Sequence, residues 1–278
     1  MEFFKYTGLG KDFILIDNTR GNVEMNKDLA KDMCNRYFGI GADGVVLVSP
    51  SENQDIRMDI FNSDGSIAEM CGNASRCFAK FVYEKDLVKK RDFTIETLAG
   101  VIKLSLNIED KFVKSIKVHM GQPRFSSKDI PFSIERERIV DYPIAIDGKK
   151  FKITSMFMGV PHTVIFIDHI FDDYILNVGK KLETSNYFPK KTNVNFVSIL
   201  NRREIVLRTW ERGAGYTLAC GTGSCASVVA GVINGKLDRK VLVHLRGGDL
   251  SIEYDGEDVY MTGEALEVFR GIYPKIKS

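Results

Sequence analysis

The sequence predicts an α+β protein made of two similar halves, with sheets wrapped around two cysteine-bearing helices. Three observations carry this expectation. Two stretches nearly repeat: Cys71-Gly72-Asn73-Ala74-Ser75 and Cys220-Gly221-Thr222-Gly223-Ser224 both read Cys-Gly-(Asn or Thr)-small-Ser, 149 residues apart in a chain of 278. Each runs straight into a helix-like apolar segment. The rest of the chain reads as many short strands with few helices, a pattern of α+β rather than of alternating strand and helix.

Taken in order, Phe3 to Tyr6 and Phe13 to Asp17 alternate as strands around a Gly8-Leu9-Gly10 turn. Residues 26 to 37 read as a helix, with Asn26 as its cap and its end before Gly39. Val45 to Val48 and Arg57 to Asn62 are strands, followed by the turn Ser63-Asp64-Gly65-Ser66. Glu69 to Lys85 is the first cysteine segment with its helix. Strands follow over Phe93 to Thr97, Val101 to Leu106 and Phe112 to Met120. Pro123 and the polar run Ser126 to Asp129 mark the join. The second half repeats the theme, with strands over Tyr142 to Ile146, Phe151 to Met158, Thr163 to Ile167, Asn193 to Ile199 and Glu204 to Trp210. A helix over Ile175 to Thr184 precedes the second cysteine segment. Val241 to Leu245, Leu250 to Tyr254 and Val259 to Met261 close the sheet.

Composition excludes several classes. Hydrophobic content of 44% and charged content of 27% suit a folded globular protein. A net charge of +2, with short scattered basic clusters, points to neither nucleic acid nor an anionic membrane. No segment has the roughly 18 consecutive apolar residues of a membrane helix, and the N-terminus has no signal-peptide pattern. Five cysteines with no CxxC pair suggest reduced thiols and a cytoplasmic protein. Gly39-Ile40-Gly41-Ala42-Asp43-Gly44 fits G-x-G-x-x-G by letter, but a helix precedes it and a strand follows. A dinucleotide site needs the reverse order.

The two cysteines carry the chemistry. Backbone amides at a helix start lack partners within the helix, and the dipole there favours negative charge, so a thiolate at that spot is stabilised. The amides of Gly72, Asn73, Gly221 and Thr222 can hold a carboxylate. If the halves face each other, a substrate α-carbon can lie between two sulfurs. One thiolate then removes its proton and the other thiol returns one to the opposite face, with the amides stabilising the charge that develops. Cys77 and Cys225 read as packing residues within their helices, and Cys34 as core. The four histidines are dispersed, so no metal site is expected.

At these residues the sequence resembles the diaminopimelate epimerase family. The likeness runs through Gly8-Leu9-Gly10 with Asp12-Phe13, the Gly39 to Gly44 run, Phe61-Asn62-Ser63-Asp64-Gly65-Ser66 and Met70-Cys71-Gly72-Asn73. It continues through Met158-Gly159 with Pro161-His162, Thr192-Asn193, and Glu211-Arg212-Gly213-Ala214-Gly215 with Ala219-Cys220-Gly221-Thr222-Gly223. Gly247-Gly248 and Met261-Thr262-Gly263-Glu264-Ala265 complete it. The resemblance implies two pseudo-symmetric domains, each a barrel-like mixed or antiparallel sheet around a central helix, and an isomerase that needs no cofactor. We assign residues 1–121 plus 265–278 to the half carrying Cys71, and residues 122–264 to the half carrying Cys220. It further implies epimerisation of LL-2,6-diaminopimelate to the meso form, in lysine and cell-wall precursor synthesis, on a small-molecule amino-acid substrate, in a homodimer. Cys71 and Cys220 would be the acid/base pair. Asn62, Asn193 and Arg212 would surround the far end of the substrate, and Glu211, Gly72, Asn73, Gly221 and Thr222 the reacting end, with His162 supporting catalysis.

The chain departs from the family pattern at Thr7, Lys11, Ala74, Val160 and Tyr216. Lys11 and Val160 stand where the family has asparagines on expected substrate contacts, and Tyr216 stands in place of a glutamate. Lys11 is kept as a substrate-binding position. Together these departures raise an alternative, a cofactor-independent racemase of an amino acid with a basic or aromatic side chain.

Overall fold

The computed structural model describes residues 1–274. The chain divides into two compact units, residues 1–119 with the segment from Thr262 onward, and residues 120–261. Of the 265–278 segment assigned to the first half, residues 275–278 lie outside the described residues.

The first unit opens with the hairpin β1 (Glu2–Gly8) and β2 (Lys11–Asp17). Helix α1 (Lys27–Cys34) crosses to β3 (Gly44–Ser49), which runs parallel to β2. β4 (Ile56–Asn62) returns antiparallel and meets the two-residue β5 (Ile67–Ala68). After α2 (Gly72–Glu84) come β6 (Asp92–Thr97), parallel to β4, then β7 (Gly100–Glu109) and β8 (Phe112–Gly121).

The second unit begins with β9 (Ile139–Ile146), β10 (Lys149–Met158) and β11 (Val160–Phe166), each antiparallel to the last. Helix α3 (Asp172–Glu183) crosses to β12 (Asn193–Asn201), parallel to β11. β13 (Glu204–Glu211) returns antiparallel and meets the two-residue β14 (Gly215–Tyr216). After α4 (Gly221–Ile233) come β15 (Lys240–Leu245), parallel to β13, then β16 (Gly248–Tyr254) and β17 (Val259–Gly263). β18 (Leu266–Ile272) returns to the first unit and pairs with β1.

From β1 to β8 and from β10 to β17 the two units therefore repeat element for element, down to the parallel pairs and the two-residue strands. In each unit the sheet wraps the second helix. α2 packs on β1, β2, β3, β7 and β18, and α4 on β10, β11, β12, β13 and β16. Both helices are consequently buried almost all round their first two turns, including Cys77 and Cys225, as expected of packing residues. Cys34 lies in the first unit's core with Ile14, Met33 and Val45. The second unit has its own aromatic core around Phe132, Phe188 and Phe196.

Some boundaries differ from expectation. α1 stops at Cys34, not at residue 37, because Asn35 turns out of the helix and its Oδ1 accepts the amides of Tyr37 and Phe38. Asn26 does cap it, accepting the Leu29 amide at 2.9 Å. α3 starts at Asp172, three residues earlier than expected, with Asp172 and Asp173 in the first turn where the dipole favours them. β18 had no counterpart in the sequence reading. It pairs with the far N-terminal strand β1, and its burial pattern does not alternate. The Gly39 to Gly44 run links helix to strand, as its order implied. A Cβ on Gly39 would lie 2.0 Å from the Asp32 carbonyl oxygen, and one on Gly44 2.7 Å from that of Phe61. These glycines serve close packing.

Candidate active site

The expected cysteines and first-turn residues stand at the start of each unit's central helix. Cys71 is the N-cap of α2 (φ −148°, ψ 116°), and Cys220 the N-cap of α4 (φ −129°, ψ 108°). Neither side chain accepts a bond from its helix, so the first-turn amides of Gly72, Asn73, Gly221 and Thr222 receive nothing from the cap residue. Cys71 is half-buried and Cys220 buried, and neither is in a disulfide. Ser75 Oγ and Ser224 Oγ back-bond to the carbonyls of Cys71 and Cys220 at 3.0 and 2.9 Å, bracing the two caps alike.

In the first unit, Arg76 is fully buried beneath the α2 start. Its guanidinium donates to Asn73 Oδ1 at 2.8 Å and to the carbonyls of Gly72 and Glu264 at 3.4 and 3.3 Å. Asn73 is thus oriented from below. Gly8, the partner of Lys11 in the β1–β2 hairpin, lies against this turn, since a Cβ on it would be 3.3 Å from the Asn73 carbonyl. The hairpin is pinned by ions. Asp12 takes a bidentate bond from Arg36 and a 2.6 Å contact from buried Lys5, whose Nζ also donates to the Gly41 carbonyl. Burial pushes the Asp12 carboxyl up, but the Arg36 and Lys5 bonds outweigh it and hold it well below the usual carboxylate range. Asn62 closes β4 and donates to Ser66 Oγ at 3.0 Å.

In the second unit, Asn193 bridges two strands. Its Nδ2 donates to the Pro161 carbonyl at 3.2 Å and its Oδ1 accepts the Arg212 amide at 2.7 Å. Arg212 is exposed, and its Nη1 donates to the Lys190 carbonyl at 3.3 Å. Buried Glu183 steadies the same turn, accepting Trp210 Nε1 at 2.7 Å and the Gly213 amide at 3.1 Å. Burial raises its carboxyl, and those two bonds bring it below its ordinary value. Glu211 ends β13, opposite Gly215. Cys220 Sγ lies 3.6 Å from Thr222 Oγ1. The Gly159 turn lies close by, 3.7 Å from Thr222 Cγ2 to an added Cβ. His162 is fully buried, and burial together with the nearby Arg212 charge pushes it down to about 3, so it is neutral. Its Nδ1 meets Asn195 Nδ2 at 3.1 Å.

Among the departures, Tyr216 has found structural work. Its hydroxyl donates to Asp172 Oδ1 at 2.7 Å and its ring carries Arg246. Burial, then the Asp172 bond, pushes that hydroxyl up to about 12. Lys11 and Val160 occupy the same place in the duplicated unit, each opening the second strand of its hairpin, opposite Gly8 and Met158. Glu183, Asn195 and Thr209 were not singled out from sequence. A lone acid or amide within an apolar strand or helix gives no local signal. Superposing the halves at their 149-residue offset would have flagged Asn195 and Thr209.

A family model described as diaminopimelate epimerase matches residues 3–126 and 154–268. The chain belongs to the diaminopimelate epimerase family. A diaminopimelate epimerase of Caldanaerobacter subterraneus is 48% identical over 272 residues, 98% of each chain. One of Pelotomaculum thermopropionicum is 49% identical over 277 residues, 99% of each. Among solved structures, a hydroxyproline epimerase from Agrobacterium vitis matches with a TM-score of 0.72 at 15% identity, over 98% of this chain and 90% of that one. A PhzF-family phenazine biosynthesis protein from Bacillus anthracis matches with a TM-score of 0.67 at 17% identity, over 98% of both. At such identities these last two share the fold, two α+β domains of the epimerase type.

Proposed function

We propose that this protein epimerises LL-2,6-diaminopimelate to meso-diaminopimelate, with Cys71 and Cys220 as the two bases. The observation that carries the reading is that two cysteines cap two buried 13-residue helices in nearly the same backbone conformation. A thiolate takes the α-proton, the C–H electron pair is delocalised toward the substrate carboxylate, and the other thiol delivers its proton to the opposite face. The thiolate changes places with each turnover. The carboxylate is held by the amides of Gly72, Asn73, Gly221 and Thr222, whose charge stabilisation supplies most of the lowering of the barrier. No electrons leave the substrate, so acid–base groups suffice and the reaction draws on no cofactor. Glu211 and His162 support the reacting end. Asn62, Asn193, Arg212 and Lys11 bind the distal carboxylate and amine.

The alternative, a racemase of another amino acid, is not favoured. Lys11 and Val160 are departures within a chain that keeps 48–49% identity to diaminopimelate epimerases over nearly its whole length. We place the enzyme in the cytoplasm, as five cysteines outside any disulfide suit, and as a homodimer, with exposed Leu266, Val268 and Ile272 of β18 as apolar surface suited to a second copy. No helix among the described residues is long and apolar enough to cross a membrane.

The test is α-proton exchange in deuterium oxide, followed by proton NMR, with LL-diaminopimelate and separately with lysine, histidine, arginine and glutamate. Loss of the α-hydrogen signal from diaminopimelate alone is expected. Exchange of another amino acid instead would mean that Lys11 and Val160 have re-aimed the site.

A further inference from the structure

His162 has one ring nitrogen accounted for and one not. Nδ1 faces Asn195, while Nε2 is buried with no hydrogen-bond partner among the described residues. Buried donors and acceptors are rarely left unpaired, so this nitrogen stands out.

The orientation of the Asn195 amide decides which nitrogen carries the proton. Asn195 Nδ2 lies 3.3 Å from the Thr163 carbonyl oxygen, which can only accept. The atom facing it must therefore be the amide nitrogen. Thr209 Oγ1 donates to Asn195 Oδ1 at 3.0 Å and holds the other end. The second hydrogen on Nδ2 then points at His162 Nδ1, which must be a lone pair. The ring proton is left on Nε2.

The first unit shows that the fold does not need this trio. Phe13, Val46 and Ile60 occupy the positions of His162, Asn195 and Thr209 in the repeated registers, and all six residues are buried. The same strands close equally well around three apolar side chains. The polar set also abuts the catalytic helix of its own unit, since a Cβ on Gly223 would lie 2.5 Å from Asn195 Oδ1 and 3.2 Å from Cys220 Sγ.

We propose that Asn195, braced by Thr209 and the Thr163 carbonyl, is a positioning residue that fixes His162 as its Nε2–H tautomer, so that this histidine offers the reacting end a neutral hydrogen-bond donor rather than a base. The inference rests on the epimerase reading for what the donor serves. The acceptor is an anion of the reaction, a cysteine thiolate or the substrate carboxylate.

The experiment is long-range proton–nitrogen NMR of the histidine rings, with the His162 signals identified by their loss in His162→Gln. The wild-type protein should show a neutral ring protonated at Nε2; a proton on Nδ1, or an imidazolium, would overturn the proposal. Asn195→Asp puts an acceptor opposite Nδ1 and should move the proton there or charge the ring. With it, kcat should fall by on the order of 10²-fold with KM little changed. Thr209→Val, a milder change, should loosen the amide and give a smaller loss in the same direction. A loss of kcat in either variant with the Nε2–H tautomer intact would make Asn195 merely structural. A changed tautomer with unchanged kcat would show that the donor does not matter. Absence of diaminopimelate exchange by wild type, with the tautomer as stated, would instead count against the assigned reaction and leave the positioning role standing.

Discussion

The two units are one design used twice, and they differ in the side chains packed around the start of the central helix. Both place a cysteine at the N-cap of a 13-residue helix wrapped by the same order of strands. Beneath that shared frame, the first unit puts an arginine under its helix start and apolar residues in the adjoining strands. The second has Cys225 where the first has Arg76, and a histidine, an asparagine and a threonine where the first has Phe13, Val46 and Ile60. The frame is thus indifferent to the polarity of these positions, even with His162 Nε2 left without a partner among the described residues.

The comparison is broken most severely at the caps. Cys71→Ser and Cys220→Ser should each lower turnover by on the order of 10²–10⁴-fold, because a hydroxyl is a far poorer base and acid at neutral pH. Steady-state assay of both directions checks this. Full activity in either variant would mean that only one half is catalytic.

Next in size is the layer under the helices. Arg76→Ala should destabilise by about 3 kcal/mol, since it leaves a cavity and strips Asn73 and two carbonyls of partners. Its counterpart Cys225→Ala should cost only about 1 kcal/mol, the loss of one buried sulfur. Chemical denaturation of the pair measures the asymmetry directly, and equal costs would remove it.

The smallest effect tests the strands. Val46→Asn carries the second unit's residue into the first, where the adjoining positions are Phe13 and Ile60 and neither side chain can satisfy an amide. It should cost about 2 kcal/mol in denaturation and leave the identity of the bases untouched. A neutral result would show that the first unit can also support a polar trio.

Much of this was legible in the chain itself. The repeated pentapeptides located both cysteines, their helix starts and the duplicated plan, because Cys-Gly at a loop-to-helix junction and period-2 strands are local signals. Strand positions from β1 to β4 followed from alternation and turn residues. The end of α1 did not, because Asn35 withdraws the chain through side-chain bonds that compete with the helix. β18 was missed because its place depends on pairing with β1, at the other end of the chain. Asn195 read as one more residue of a buried strand.

By itself, then, the sequence determined the repeat, the two thiols and the elements other than β18, since each is encoded within a few neighbouring residues. The tertiary structure alone decided which polar groups are buried together: Arg76 under Asn73, Glu183 on the Gly213 turn, and Asn195 between Thr209, Thr163 and His162. A hydrogen-bond network has no period and no motif. It exists only where strands distant in sequence bring a donor and an acceptor to within about 3 Å and exclude the water that would otherwise satisfy them.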